Sequence, residues 1–153
     1  MRTPTQPRKT LRDDARALVE RCAGWNSRLA ARRIAQFLDR EMEACGLTAG
    51  QLGLLAQIAA AEDDRLGALA RRAGLDPSTL SRNLRTLERA GLVEITTVEA
   101  DLRRRAVWLT ETGARRLEAA IPVWRRAQAN LARRLSPDLA RRLAGATEAL
   151  IED

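Results

Sequence analysis

The residues with the clearest chemical potential are arginines and small hydroxyl residues on a predicted helix over about residues 77–90. The 100° spacing of helical residues separates an apolar face from a polar one, formed by Leu80, Leu84 and Leu87 and by Ser78, Arg82, Arg85 and Arg89. Arginine can bond guanine or bind phosphate, and the sequence leaves both roles open. A solvated helix face is the alternative, but three arginines beside small hydroxyl residues favour a helix that lies in the major groove of DNA.

The net charge and the missing residue types narrow the class of function. The 27 Lys and Arg residues exceed the 20 Asp and Glu residues, for a net charge of +7, which favours a polyanionic partner. A solvated cationic surface would explain the charge equally well, so the positions of the arginines have to decide. With no His and only Cys22 and Cys45, we expect no metal site, no histidine-based catalysis and no cofactor. We therefore predict that the protein is not an enzyme.

A tight connection between two helices precedes the arginine-bearing segment. A short predicted helix ends at Gly74, and Asp76 and Pro77 suit the N-cap and first position of the next helix. Helices joined by so few residues cross steeply, which is the helix-turn-helix arrangement. The small side chain of Ala70 and the absence of one at Gly74 permit that close crossing.

Beyond Gly91 the apolar period changes from helical to alternating, which predicts a β-hairpin. The alternating positions are Val93, Ile95 and Thr97 on one strand and Val107 and Leu109 on the other. The segment between the strands, residues 99–105, is strongly basic. A hairpin directly after a recognition helix is a wing.

Two predicted helical regions flank the segment that contains the helix-turn-helix and the hairpin. Residues 11–44 read as one long helix whose apolar face rotates after Leu29, and a second long helix starts at Thr110 or Thr112 and should kink at Pro122. A last helix begins at Ser136 and Pro137. Neither terminal helix can bury its apolar face alone. The C-terminal pair and the first half of the first helix therefore form a second apolar surface, which we expect self-association to cover.

Two helix starts between these regions carry capping signals. Thr48 and Gln51 have the spacing of a capping box. Asp64 is a candidate N-cap of the short helix that ends at Gly74.

The predicted fold class is mainly α with a small β-hairpin wing (α+β), a winged helix-turn-helix with N- and C-terminal dimerisation helices. The predicted regions are a flexible basic arm (1–10), a helical dimerisation region (11–45 and 112–153) and a DNA-binding lobe (46–111), with a recognition helix at about 77–90 and a wing at about 92–110. No apolar run reaches the roughly 20 residues that span a bilayer, and the N-terminus lacks a signal peptide. We expect a cytoplasmic protein without a membrane partner.

Four segments resemble the MarR family of bacterial regulators, in order and at the family's spacing. They are residues 46–51 with Leu54 and Leu55 after them, residues 69–88, residues 91–93, and residues 101–103 followed by residues 107–113. The resemblance extends from about Asp14 to Ile151. It implies a two-fold dimer with interleaved terminal helices and two winged-helix lobes that bind double-stranded DNA at a pseudo-palindromic operator.

The resemblance also implies roles for individual residues at the DNA. The major-groove set is Ser78, Thr79, Ser81, Arg82 and Arg85. Arg103 would enter the minor groove, and Asp101 would orient it by a charge-assisted pair. The neighbouring Arg104 and Arg105 complete the predicted DNA-binding set.

An effector site is implied by the family rather than by the residues. The resemblance places a pocket for a small aromatic or amphipathic ligand between the first two helices and the first C-terminal helix, where Trp25, Phe37 and Trp124 are candidate lining residues. Core packing is the alternative for these aromatic residues. Some family members sense peroxide through a cysteine near the start of helix one, but Cys22 lies on the apolar seam in a chain without Tyr, so packing is favoured.

These observations predict a dimeric, sequence-specific transcriptional regulator, namely a repressor released by a small-molecule ligand or an oxidant. The alternative is an architectural protein that binds DNA largely without sequence specificity and has no effector.

Overall fold

The structure is a computed structural model that describes the backbone of residues 9–98 and 101–150 and the side chains of residues 10–97 and 104–150. The helices are α1 (Lys9–Arg21), α2 (Ala23–Glu41), α3 (Ala49–Ala59), α4 (Leu66–Ala73), α5 (Pro77–Arg89), α6 (Glu111–Ala132) and α7 (Pro137–Ala146), and the strands are β1 (Val93–Val98) and β2 (Asp101–Leu109). Residues 1–8 of the predicted arm lie outside this description. The chain divides into two compact units, Met1–Gln36 and Phe37–Asp153.

The first unit corrects the prediction of one continuous helix over residues 11–44. The helix is interrupted at Cys22, between α1 and α2. The backbone N–H of Trp25 donates to Cys22 Sγ at 3.4 Å, and the Asn26 side chain donates to the carbonyl of Glu20 at 3.0 Å. Side chains therefore replace regular helical hydrogen bonds beside Gly24, a residue with low helix propensity.

The second unit contains a contiguous apolar core whose helix boundaries follow the predicted capping signals. Thr48 and Gln51 form the capping box of α3, with both hydrogen bonds present. Gly74 ends α4 at a φ of +63°, and Asp76 caps α5 with Pro77 in its first turn. The predicted core face of α5 is confirmed, since Leu80, Leu84 and Leu87 are buried. The prediction that Asp64 caps α4 is wrong, because the N-cap residue is Arg65.

The hairpin is antiparallel, and its regular register stops before the turn. Thr97 pairs with Arg105 and Val93 with Leu109, and a register irregularity lies between Thr97 and Val98. The chain ahead of α4 adds to the outer side of β2 through a bridge between Arg65 and Ala106. The α3–α4 loop is therefore joined to the two-stranded wing by a β-bridge.

The C-terminal helices start where the sequence indicates. Thr110 caps α6 through the N–H of Gly113, and α7 begins with Pro137 after Ser136. Helix α6 runs through Pro122 without a break. It packs against α3 and β2, which fixes it to the winged lobe. None of the helices among residues 9–98 and 101–150 combines the length and apolarity needed to cross a membrane.

Candidate nucleic-acid interface

The N-terminus of α5 is organised by the carboxylate of Asp76. Its Oδ1 accepts hydrogen bonds from the Ser78 hydroxyl at 2.6 Å and the Thr79 N–H at 2.9 Å, and its Oδ2 accepts one from the Thr79 hydroxyl at 2.6 Å. These donors, the Ser78 hydroxyl first, hold the pKa of Asp76 well below its ordinary value. Ser78 and Thr79 are thus fixed in orientation, with oxygen lone pairs left to accept from a ligand.

The polar face of α5 is available to a partner along its length. Ser78, Arg82 and Arg85 are exposed, and Thr79 and Ser81 are half-buried. Arg82 donates to the Thr79 hydroxyl at 3.3 Å, which links it to the Asp76 network. The structure therefore brings the five predicted major-groove residues onto one helix with a fixed start. Contact of each with DNA stays a prediction.

The wing arginines lie in different surroundings. Arg104 is half-buried and forms an ion pair with Asp64, with 2.5 Å between its terminal nitrogen and Asp64 Oδ1. Arg105 is exposed and lies opposite Thr97. The side chains of Asp101 and Arg103 lie outside the described residues, so their predicted pairing stays a prediction.

The α3–α4 loop beside the wing is held by further arginine contacts. Asp63 accepts from the backbone N–H of Arg65 at 3.0 Å and from its guanidinium at 2.7 to 3.0 Å. Arg65 accordingly holds the pKa of Asp63 well below its ordinary value. Arg72 donates to the Asp63 carbonyl at 3.3 Å. The loop segment next to Asp64 is therefore held by hydrogen bonds from Arg65 and Arg72.

The end of α5 is joined directly to the start of α6. The Thr110 hydroxyl donates to the Gly91 carbonyl at 2.6 Å, and the Thr110 N–H donates to the Leu92 carbonyl at 3.1 Å. A β-carbon at Gly113 would lie 1.9 Å from the Leu92 oxygen. The Leu109-Thr110-Glu-Thr-Gly113 run thus has a geometric role, which sequence reasoning did not assign.

An apolar cavity of about 570 Å³ opens between α3, α6 and the C-terminal part of α2. Leu38, Leu52, Leu117, Ile121 and Trp124 are among its lining residues. Of the predicted effector-pocket residues, Trp124 lines this cavity. The Phe37 ring instead faces the Arg134 guanidinium at 5.6 Å.

The two remaining candidate residues lie in the first unit. Trp25 is 56% exposed. Cys22 is half-buried, and its thiol caps the start of α2. A ligand or redox role for either residue stays a prediction.

The fold of this chain is shared with known transcription regulators. A sequence model of the MarR family matches residues 46–104. The M. tuberculosis transcriptional regulator MosR, solved in complex with DNA, is 35% identical over 84% of this chain and 96% of its own, with a TM-score of 0.75. The chain belongs to the MarR family. No curated protein sequence matches the chain at a significant level.

More distant MarR-family structures support the same fold. The S. aureus MepR–DNA complex is 24% identical over 84% of this chain and 96% of its own, with a TM-score of 0.67. PcaV from Streptomyces coelicolor, solved with its natural ligand, is 23% identical over 85% of this chain and 96% of its own, with a TM-score of 0.70.

As a member of the MarR family, the protein is a DNA-binding transcription regulator, and its relatives are regulators rather than enzymes. The predicted family and winged-helix fold class are confirmed.

Proposed function

We propose that this MarR-family protein is a homodimeric repressor that binds a pseudo-palindromic operator and releases it when a small aromatic or amphipathic ligand binds beside α6. The proposal includes no catalytic step and no cofactor. A regulator of this kind acts where the chromosome lies, which for a bacterial protein is the cytoplasm.

Exposed leucines on α7 support the homodimer. Leu139 and Leu143 lie four residues apart on α7 and are 54% and 51% exposed. Residues at this spacing share one face of a helix. Apolar faces of this kind are normally covered in the working assembly, and a second copy of the chain supplies a matching face.

The apolar cavity is the observation that carries ligand release. Its volume of about 570 Å³ lies within the range of small-molecule sites, roughly 300–1,000 Å³. Its walls come from α3, which belongs to the winged lobe, and from α6, which connects that lobe to α7. A ligand in the cavity would therefore push the part of α6 that carries Ile121 and Trp124 away from α3, and so change the direction in which α6 leaves the lobe.

Such a movement changes affinity for DNA because two lobes must act together. The two recognition helices of a dimer have to reach grooves about 34 Å apart on one face of the duplex. When a ligand alters the separation of the two lobes, the dimer loses one of its two sets of DNA contacts. DNA release then follows from geometry and needs no change in α5 itself.

A fluorescence titration tests ligand release. In a variant with Trp25→Phe and Trp108→Phe, the remaining Trp124 reports on the cavity. We expect 1-naphthoate, a small aromatic carboxylate, to quench Trp124 and release bound DNA over the same concentration range. A second variant with Ala56→Asp added places a negative charge in the cavity wall, which should repel the carboxylate and abolish both effects while DNA binding is retained. Equal release from both variants, or no quenching, would contradict this site.

Release by an oxidant is the alternative input, and Cys22 is its candidate. The half-buried thiol and its capping contact support a packing role. Peroxide should therefore leave the operator affinity of wild type and of Cys22→Ser unchanged. A loss of affinity in wild type alone would assign the input to Cys22.

A further inference from the structure

We propose that the Asp64–Arg104 ion pair positions the wing for DNA, so that an acidic residue raises the affinity of this regulator for its polyanionic ligand. In this account Arg104 serves as a positioning residue for the wing rather than as a phosphate contact.

The pair joins two distant parts of the chain under partial burial. Arg104 and Asp64 are 40 residues apart, and their side chains are 40% and 29% exposed. By contrast, Asp138 and Arg141 pair within one helix with side chains that are 65% and 80% exposed. Pairs shielded from water are screened less by salt than exposed pairs. The Asp64–Arg104 ion pair between the α3–α4 loop and β2 is therefore less sensitive to salt than an exposed pair.

Arg104 occupies the point at which the regular hairpin ends. Arg105 is opposite Thr97, and the register irregularity lies immediately beyond that pair. An irregularity of this kind bends a strand and leaves residues without ladder partners. Residues 102–104 lie between the Thr97–Arg105 pair and the Val98–Asp101 pair, so a side-chain contact at Arg104 can set the course of β2 there. The next residue toward the turn is Arg103, the predicted minor-groove arginine.

Asp64 is held by its own backbone and by its neighbours. The Asp64 carbonyl accepts from the N–H of Val107 at 3.1 Å. The backbone of Arg65 forms a β-bridge with Ala106. Asp63 accepts four hydrogen bonds from Arg65. The carboxylate that receives Arg104 is thus attached to the winged lobe and not to a loose loop.

Electrostatics and positioning make opposite predictions for Asp64. A carboxylate near a DNA-binding surface repels phosphate, so its neutralisation alone should strengthen binding. If Asp64 holds the wing in place, the same substitution should weaken binding. The sign of the change therefore distinguishes the two effects.

The test compares Asp64→Asn with Glu62→Gln, which removes the same charge from an exposed residue two positions away. Affinity is measured by fluorescence anisotropy on a duplex that wild type has enriched from a random pool. Loss of a hydrogen bond between charged groups predicts an affinity about tenfold lower for Asp64→Asn. Glu62→Gln should bind as tightly as wild type or more tightly. If Asp64→Asn behaves like Glu62→Gln, the proposal is wrong.

Four further measurements separate positioning from general destabilisation. Asp64→Glu should recover part of the affinity, and the double variant of Asp64→Asn with Arg104→Gln should bind no more weakly than either single variant. Arg104→Gln should leave the salt dependence of binding unchanged, whereas loss of a phosphate contact would reduce the slope by about one. Hydroxyl-radical footprints of Asp64→Asn should lose the protection that Arg103→Ala also loses and keep the rest. Additive losses, a reduced slope or uniform weakening of the footprint would each overturn the proposal.

Discussion

Gly113 lies against the carbonyl group of Leu92 so closely that a β-carbon on it would come within 1.9 Å of the Leu92 oxygen. This contact joins the first turn of α6 to the segment that follows the recognition helix. Thr110 strengthens the same junction by donating its hydroxyl to Gly91. A movement of α6 is therefore passed to the end of α5 through backbone atoms, which yield less readily than side chains.

The junction predicts a large loss of stability in Gly113→Ala. The added methyl group meets a backbone carbonyl that cannot rotate away, so we expect a fall of about 3 kcal/mol in the free energy of unfolding. Gly50→Ala is the matched control, because its β-carbon would meet Thr48 Oγ1 at an ordinary 3.9 Å. That control should be neutral or stabilising by up to about 1 kcal/mol. Urea unfolding curves measure both, and equal midpoints for the two variants would refute the junction.

Asp76 predicts a defined dependence of stability on pH. Its folded-state pKa is depressed by donors at the start of α5. Its contribution is therefore present above the unfolded-state pKa of about 4 and is lost as the pH falls through the folded-state value. Asp76→Ala should be less stable than wild type throughout pH 5–8, and the gap should narrow below about pH 4. Thermal unfolding across this range measures the gap. A gap that widens in acid would show that the cap has been misassigned.

The effect of substituting an arginine on DNA affinity should show whether that arginine contacts a base or a phosphate. If Arg85 binds a base, Arg85→Ala should lower affinity by about 1–3 kcal/mol for the operator and little for unrelated DNA. If Arg85 binds phosphate, affinity should fall equally for all DNA sequences, and the dependence of affinity on salt concentration should become less steep.

Arg103→Ala should weaken operator binding without changing dimerisation. An unchanged operator affinity in that variant would remove the wing from the interface.

The exposed face of α7 predicts a variant that fails to dimerise. Leu143→Glu places a charge on the face that carries Leu139, and burial of an unpaired charge is costly. Arg141→Gln changes the net charge by the same amount on the opposite side of α7. Sedimentation at micromolar concentration should show monomers for Leu143→Glu and dimers for Arg141→Gln. Monomeric wild type would contradict the proposed assembly.

Local signals accounted for most of the helix and strand boundaries. The Thr48–Gln51 box and the Asp76–Pro77 start depend on neighbours within three residues, and alternating periodicity was enough for the hairpin. The break at Cys22 was missed because a thiol acceptor and the Asn26 amide replace hydrogen bonds that apolar spacing does not report.

Local sequence patterns predicted less of the candidate site, because its contacts join residues that are far apart in the sequence. Asp64 and Arg104 each had a local interpretation, as a helix cap and as a DNA contact, and only the folded chain brings them together across 40 residues. The close approach of Gly113 to Leu92 left no signal in periodicity or charge. The roles of Arg103 and Asp101 came from the family resemblance and not from the residues themselves.

Selection of DNA from a random duplex pool tests the central claim, a regulator with a specific operator, most directly. Wild type should enrich an inverted repeat whose half-sites lie about one helical turn apart and bind it ~10³-fold or more tightly than unrelated DNA of equal length. Enrichment of no common sequence, with equal affinity for all duplexes, would contradict the account and indicate an architectural DNA-binding protein.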